Sequence, residues 1–238
     1  MPATAPTAAA PAAARVLPYA ATIFLSAFLL FLVQPIIAKQ ILPWFGGSAA
    51  VWTTCLVFFQ SALLAGYAYA DATHRLGLKR QTWLHIGLLV ASLVTLPILA
   101  SEAWKPAGSE DPIGRILLLL AATIGLPYFL LATTTPLLQS WYWRRFETAV
   151  PYRLFALSNF ASLLALLGFP ILFEPWLTLP QLGWTWSAVY ALFVLACAAT
   201  GWLSLRAAGA AQTLAPQAGA PATAAPPNAA TQLLLFML

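Results

Sequence analysis

Residues 151–175, PYRLFALSNFASLLALLGFPILFEP, indicate how this chain folds. The run from Leu154 to Phe173 carries no charge, and as a helix rising about 1.5 Å per residue it is long enough to cross a hydrocarbon core of about 30 Å. Arg153 precedes the run and Glu174 follows it. The stretch therefore predicts a helix that spans a membrane.

Small and polar side chains inside this predicted span indicate what it packs against. Ala161 and Ala165 repeat at a spacing of four, as do Ser158 and Ser162, and such spacing lets a neighbouring helix approach closely in lipid. Asn159 is the amide of the span, and an amide in hydrocarbon needs a partner. We expect Asn159 to face protein or a cavity, with an interhelical hydrogen bond and a substrate contact as the alternatives.

The same stretch matches the pattern PY-x-L-[YF]-A-x-SN-x-x-S-x-x-A-L-L-x-[YF]-P-x-x-x-EP, which resembles a signature of the membrane half of bacterial fused major facilitator/spermidine synthase proteins. The segment from Phe24 to Ala70 is similar to the start of that family. Its matching residues are Gln34, Pro35, Phe45, Gly46, Gly47 and Gln60; those of the later stretch are Pro151, Tyr152, Leu154, Phe155, Ala156, Ser158, Asn159, Ser162, Ala165, Leu166, Leu167, Phe169, Pro170, Glu174 and Pro175.

Composition leads to the same class of protein. The 238 residues are 61% hydrophobic and 7% charged, with a mean hydropathy of +0.83, whereas soluble domains are about 25% charged. The net charge of +5 comes from basic residues scattered singly or in pairs, so no nucleic-acid surface is expected. Cys55 and Cys197 lie in apolar runs, where a thiol behaves as a small hydrophobe.

Six apolar runs predict an all-α, polytopic bundle in contact with the lipid bilayer. Before it, residues 1–15 predict a disordered tail, because they are rich in Ala, Pro and Thr. The predicted membrane domain covers residues 16–206, with spans at about 17–38, 49–70, 83–100, 116–139, 154–173 and 184–205. An Ala/Pro-rich linker follows at 207–231, and 232–238 begins a truncated apolar segment or a short surface helix.

Basic residues predict the orientation of the bundle, because short cytoplasmic loops carry an excess of Lys and Arg. With the N-terminus in the cytoplasm, eight of them lie inside and three outside. We therefore expect a multi-pass protein of the bacterial inner membrane with both ends inside. The inner set is Arg15, Arg75, Lys79, Arg80, Arg144, Arg145, Arg153 and Arg206; the outer set is Lys39, Lys105 and Arg115.

Two sequence matches suggest that three spans are duplicated. The surroundings of Pro35 resemble those of Pro136, 101 positions later, and the surroundings of Ala65 resemble those of Ala165, 100 positions later. Because three is odd, the two copies would be inverted in the membrane, as in the 3+3 repeat of half a major-facilitator fold. The family resemblance implies the same arrangement.

Enzymatic chemistry is not expected in this chain. The resembled family joins its membrane half to a soluble aminopropyltransferase-like domain, but neither a Gly-x-Gly turn nor a cluster of acidic residues occurs here. We predict no catalytic residue and no cofactor. His74 falls in a basic loop and His85 near an interface, so we expect solvation and membrane anchoring rather than a metal site.

Transport of a small polar or cationic, polyamine-type solute is the first functional hypothesis. Kinked helices with polar groups near the midplane mark the substrate sites of secondary transporters. The alternative is a membrane anchor or assembly module for a soluble aminopropyltransferase-like domain or a partner subunit. The candidate substrate-binding residues are Gln34, Gln60, Thr134, Thr135, Ser158, Asn159 and Glu174, and the expected helix kinks lie at Pro35, Pro136 and Pro170.

Overall fold

The computed structural model describes residues 13–106, 108, 111–146 and 152–214. Two π-helical turns extend its helices: Ala121–Gly125 joins α4 to α5, and Phe169–Phe173 follows α6. No strand occurs in these ranges, so the prediction of an all-α protein is confirmed. The helices are α1 (Ala13–Phe45), α2 (Ala49–His74), α3 (Gly77–Ser92), α4 (Pro112–Leu120), α5 (Leu126–Phe146), α6 (Tyr152–Gly168) and α7 (Leu179–Leu214).

Five helical segments are long and apolar enough to cross a membrane, and the protein is therefore a multi-pass membrane protein. Each coincides with a predicted span and extends beyond at least one of its predicted ends, because terminal turns with polar residues remain helical. The segments are Val16–Phe45, Ala49–His74, Pro112–Phe146, Tyr152–Phe173 and Leu179–Gly209.

The ends of the predicted segments differ from the structure in three places. The first span was expected to end at residue 38, but α1 continues to Phe45 and the chain turns at Gly46, whose φ of +80° suits glycine. The linker expected from residue 207 begins within α7, which continues to Leu214. Residues 13–15 of the predicted tail belong to α1, which begins at Ala13. Residues 1–12 and 215–238 lie outside the described part of the chain.

The predicted third span, 83–100, differs most. Its helix, α3, ends at Ser92 after 16 residues, or about 24 Å, which is shorter than the hydrocarbon core. A 3₁₀ turn and a loop follow, and this loop is held by α1: the Gln40 side-chain amide donates to the Ala100 carbonyl at 2.9 Å and accepts from the Ala100 amide at 3.3 Å. The six-span prediction is therefore reduced to five helices of spanning length plus a shorter one.

Helix α1 occupies the centre of the bundle and packs against α5, α6 and α7. Side chains join it to these neighbours: the Ser26 hydroxyl donates to the Leu131 carbonyl of α5 at 2.9 Å, and the Trp186 indole of α7 donates to the Leu29 carbonyl at 3.1 Å. Such bonds hold helices together in lipid, where the hydrophobic effect between helices is weak.

Small residues bring two helix pairs close together. On α6, which packs chiefly against α1, the buried residues include Ala161 and Ala165, as the four-residue spacing predicted. On α2, a Cβ atom added to Gly66 would lie 2.9 Å from the Cβ atom of Ala132 and 3.3 Å from the carbonyl oxygen of Phe129. Only glycine therefore permits the close approach of α2 to α5 at this point.

Candidate functional site

A groove of about 580 Å³ lies between α1, α2 and α6. Most of its lining is apolar, and its hydrophilic side chains are those of Gln34, Lys39 and Glu174. The apolar walls match the methylene or aromatic part of a ligand, and the few polar groups would orient it. The full lining is Gln34, Pro35, Ile37, Ala38, Lys39, Ile41, Leu42, Pro43, Val51, Trp52, Cys55, Leu56, Phe59, Leu166, Phe169 and Glu174.

One end of the groove carries a pair of opposite charges. The Lys39 ammonium lies 3.6 Å from a Glu174 carboxylate oxygen, and the two side chains are 31% and 47% exposed. An ion pair this exposed contributes only about 0–1 kcal/mol. Each charge therefore remains free to exchange its partner for a charged group of a ligand.

Gln34 forms the other polar part of the groove and is held by α5. Its side-chain amide donates to the Tyr128 hydroxyl at 3.3 Å, and Tyr128 is buried with its ring centroid 5.0 Å from that of Phe59. Packing therefore fixes the tyrosine, and its hydroxyl orients the Gln34 side chain through this hydrogen bond. The remaining hydrogen-bonding capacity of the Gln34 amide is available to a ligand.

The structure brings together two of the seven predicted substrate-binding residues, Gln34 and Glu174, which line this groove with Pro35. Three others lie apart from it. Thr134 is buried in α5, where its hydroxyl donates to the Leu130 carbonyl at 2.9 Å. Thr135 is half-buried on α5. On α6, the Ser158 carbonyl accepts a hydrogen bond from the Ser162 hydroxyl at 3.0 Å. These contacts lie within single helices.

The remaining two, the amides Gln60 and Asn159, are exposed on α2 and α6. The described helices of this chain do not cover Asn159, so the expectation that it faces protein or a cavity stays a prediction. An α-helix turns about 100° per residue, so Asn159 lies about 200° from Ala161, whose face packs on α1. An amide on the opposite face necessarily points away from the bundle.

The three predicted kink positions have different local structures. Helix α1 continues through Pro35, and α5 continues through Pro136. Near Pro136, the hydroxyls of Thr133 and Thr134 both donate to the Leu130 carbonyl, and hydrogen bonds of this kind often bend a helix. Pro170 lies in the π-helical turn Phe169–Phe173, so the helix is irregular there.

Several residues of interest were not identified from the sequence. Lys39 and Cys55 line the groove, and no local pattern marks either of them. His85, expected at an interface, is fully buried instead. A signal for it exists: on α3 the buried residues recur at helical spacing, and four of the five are polar. They are Gln81, Thr82, His85, Leu89 and Ser92.

Within the described ranges, no group of three or more His, Cys, Asp or Glu side chains could hold a metal ion. Comparisons with protein-family models, curated proteins and solved structures find no match. The fold and the groove define a class of protein: a multi-pass, all-helical membrane protein with a largely apolar groove that has a charged end.

Proposed function

We propose that this chain is the membrane domain of a transporter-like protein that binds a small cationic or polar solute, of the polyamine type, between α1, α2 and α6. The observation that carries the proposal is the convergence of Gln34, Lys39 and Glu174 on one groove. The resemblance to fused spermidine synthase-like proteins supports the same solute class. The proposal includes a cytoplasmic N-terminus, an inner-membrane location, a 3+3 inverted repeat and no catalytic role for this chain.

The chemistry of the groove suits an amine carried on an aliphatic chain. The Glu174 carboxylate would accept a primary ammonium group, and a charge-assisted bond of this kind contributes about 1.5–3 kcal/mol. Methylene groups would pack against Leu56, Phe59 and Phe169, and the Gln34 amide would bind a second polar group. Lys39 competes with the solute for Glu174, so binding requires an exchange of partners.

A native cysteine allows a direct test of binding. Both thiols are buried, but Cys55 lines the groove and Cys197, on α7, does not. In the variant Cys197→Ser, reconstituted in liposomes, we expect spermidine to slow the labelling of Cys55 by N-ethylmaleimide, because an occupied groove excludes the reagent. The rate of labelling, measured by mass spectrometry, checks this result.

The reverse variant, Cys55→Ser, is the matched control. Its remaining thiol, Cys197, should react slowly and at the same rate with or without spermidine. If spermidine leaves the labelling rate of Cys55 unchanged as well, this groove is not the binding site for a polyamine.

A second function, assembly with a partner subunit or soluble domain, is favoured by a different observation. Gln60 and Asn159 are exposed on α2 and α6, two of the helices whose other residues line the groove. In hydrocarbon an amide without a partner costs several kcal/mol. Contact with another protein would satisfy both amides, and it would extend the bundle across this face.

The double variant Gln60→Leu with Asn159→Leu tests assembly. We expect it to lose any partner held through the amides, because leucine cannot form their hydrogen bonds. Native mass spectrometry of the protein extracted in lipid nanodiscs measures the mass of the complex. Thr53→Leu, at another exposed polar position of α2, should leave that mass unchanged. A double variant of unchanged mass and higher stability would mean that the amides face lipid.

A further inference from the structure

A second polar region lies inside the bundle, between α2, α3 and α5. On α2 it begins at Tyr69, ten residues beyond Phe59, the last residue of that helix in the groove. The buried face of α3 is polar here, while Trp83, Leu84 and Val90 on its outer face are exposed. Helix α3 is therefore polar towards the bundle and apolar outside, the opposite of a helix in a soluble protein.

The outer part of this region has its hydrogen bonds satisfied. At the surface, the Arg144 guanidinium donates to the His74 carbonyl at 3.0 Å. One turn further in, the Gln81 amide donates to the Thr73 hydroxyl, and the Trp141 indole donates to the Gln81 side-chain oxygen, both at 3.2 Å. These residues form a polar column that leads from the surface into the bundle.

At the inner end of the column, by contrast, buried polar side chains lack hydrogen-bond partners. Five buried side-chain nitrogen or oxygen atoms in the described part of the chain have no hydrogen-bond partner, and four of them belong to Tyr69, Thr82 and His85. Both ring nitrogens of His85 are among these atoms. The ring centroids of Tyr69 and His85 are 6.1 Å apart, and Thr82 lies one helical turn before His85. Each such buried group costs about 1–3 kcal/mol unless something satisfies it.

We propose that Tyr69, Thr82 and His85 are the inner end of a water inlet, and that they bind water molecules that enter at His74 and Arg144. Three neutral side chains that both donate and accept suit water, which forms two to four hydrogen bonds in a buried site. Besides Arg144 on α5, the charged side chains close in sequence to this column include the exposed Asp71 on α2 and the exposed Lys79 and Arg80 on α3. On α7, Gly201 faces Thr82.

The inlet would bring water well below the membrane surface. From Gly77 at the start of α3 to His85 is eight residues, or about 12 Å of helix. The Gln81–Trp141 hydrogen bond crosses this path, so exchange of water must disturb it. The site is separate from the solute groove, and its occupant does not depend on the proposed transport function.

Radiolytic hydroxyl labelling of the unaltered protein in ¹⁸O water tests the inlet, because radicals formed from bound water modify adjacent side chains. Tyr190 is the internal control, since it is buried and its hydroxyl is bonded to Ser92 at 2.7 Å, whereas Tyr69 is half-buried with a buried hydroxyl that has no such partner. We expect ¹⁸O on Tyr69 at about five times the level on Tyr190 or more, because the Tyr69 hydroxyl would contact bound water and part of its ring is exposed; the variant His85→Phe separates these two contributions. Equal labelling of the two tyrosines would overturn the proposal.

A variant supplies the second readout. His85→Phe removes both ring nitrogens, so the label on Tyr69 should fall towards the level of Tyr190. Ser92→Ala lies on the same buried face of α3, beyond the inlet, and should leave the label on Tyr69 at the level of the unaltered protein. Tyr190 loses its partner Ser92 in this variant, so it is not the reference there. A folded His85→Phe protein with undiminished labelling of Tyr69 would show that His85 holds no water there.

Discussion

Gly66→Val is expected to destabilise the folded bundle more than any other substitution considered for this chain. A Cβ atom at this position would lie 2.9 Å from the Cβ atom of Ala132 and 3.3 Å from two backbone atoms of α5, which cannot move aside as a flexible side chain can. Overpacking of this kind costs about 1–3 kcal/mol or more. Thermal unfolding in detergent micelles, followed by circular dichroism, measures the loss.

Two further variants make this prediction specific. Gly87→Val, at an exposed position of α3 with nothing within 4 Å of an added Cβ atom, introduces the same side chain without a clash. Gly66→Ala combined with Ala132→Gly removes the shortest contact and should recover part of the stability lost in Gly66→Ala alone. Equal unfolding temperatures for Gly66→Val and Gly87→Val would contradict the close approach of α2 and α5.

Opposite effects are expected from the two charges of the groove. Glu174→Gln should lower spermidine uptake by about ten-fold or more, because it removes a charge-assisted bond of about 1.5–3 kcal/mol to the solute. Lys39→Gln should lower the KM by up to a few-fold, because it removes a competitor whose exposed ion pair contributes at most about 1 kcal/mol. Uptake into proteoliposomes measures both effects.

Glu102→Gln provides the control for uptake. Glu102 also forms an exposed ion pair with a lysine, Lys105, at 2.7 Å, but it does not line the groove. Its substitution should leave uptake unchanged. Equal uptake by Glu174→Gln and Glu102→Gln would exclude Glu174 as a solute ligand, even if Cys55 were protected by spermidine.

The spanning helices were predictable because a single physical requirement determines them. A run such as Leu154 to Phe173 must satisfy its backbone internally in lipid, and an uncharged run of 20 residues does so as a helix. The same argument failed after Ser92. Residues 93–100 are largely apolar, but Pro97 disfavours a helical conformation at Leu96, which is extended. The loop that follows is held by the Gln40 amide, 60 positions earlier in the chain, a partner that no local pattern reveals.

The candidate site was predictable only in part. Gln34 and Glu174 stood out because each is polar next to an apolar run, but their meeting in one groove depends on how α6 packs on α1. The outward direction of Asn159, in contrast, follows from helical periodicity once Ala161 is taken to pack on a neighbour. Around His85, polar residues that recur at helical spacing likewise indicate which face of α3 is buried. Averaging hydropathy along the chain conceals this pattern.

Helix α7 is longer than the hydrocarbon core of a membrane is thick. Its 36 residues extend about 54 Å, whereas the hydrocarbon core measures about 30 Å. A helix this long extends beyond the lipid headgroups as regular helix. Leu214, the last described residue of α7, therefore lies at a distance from the membrane rather than at its surface.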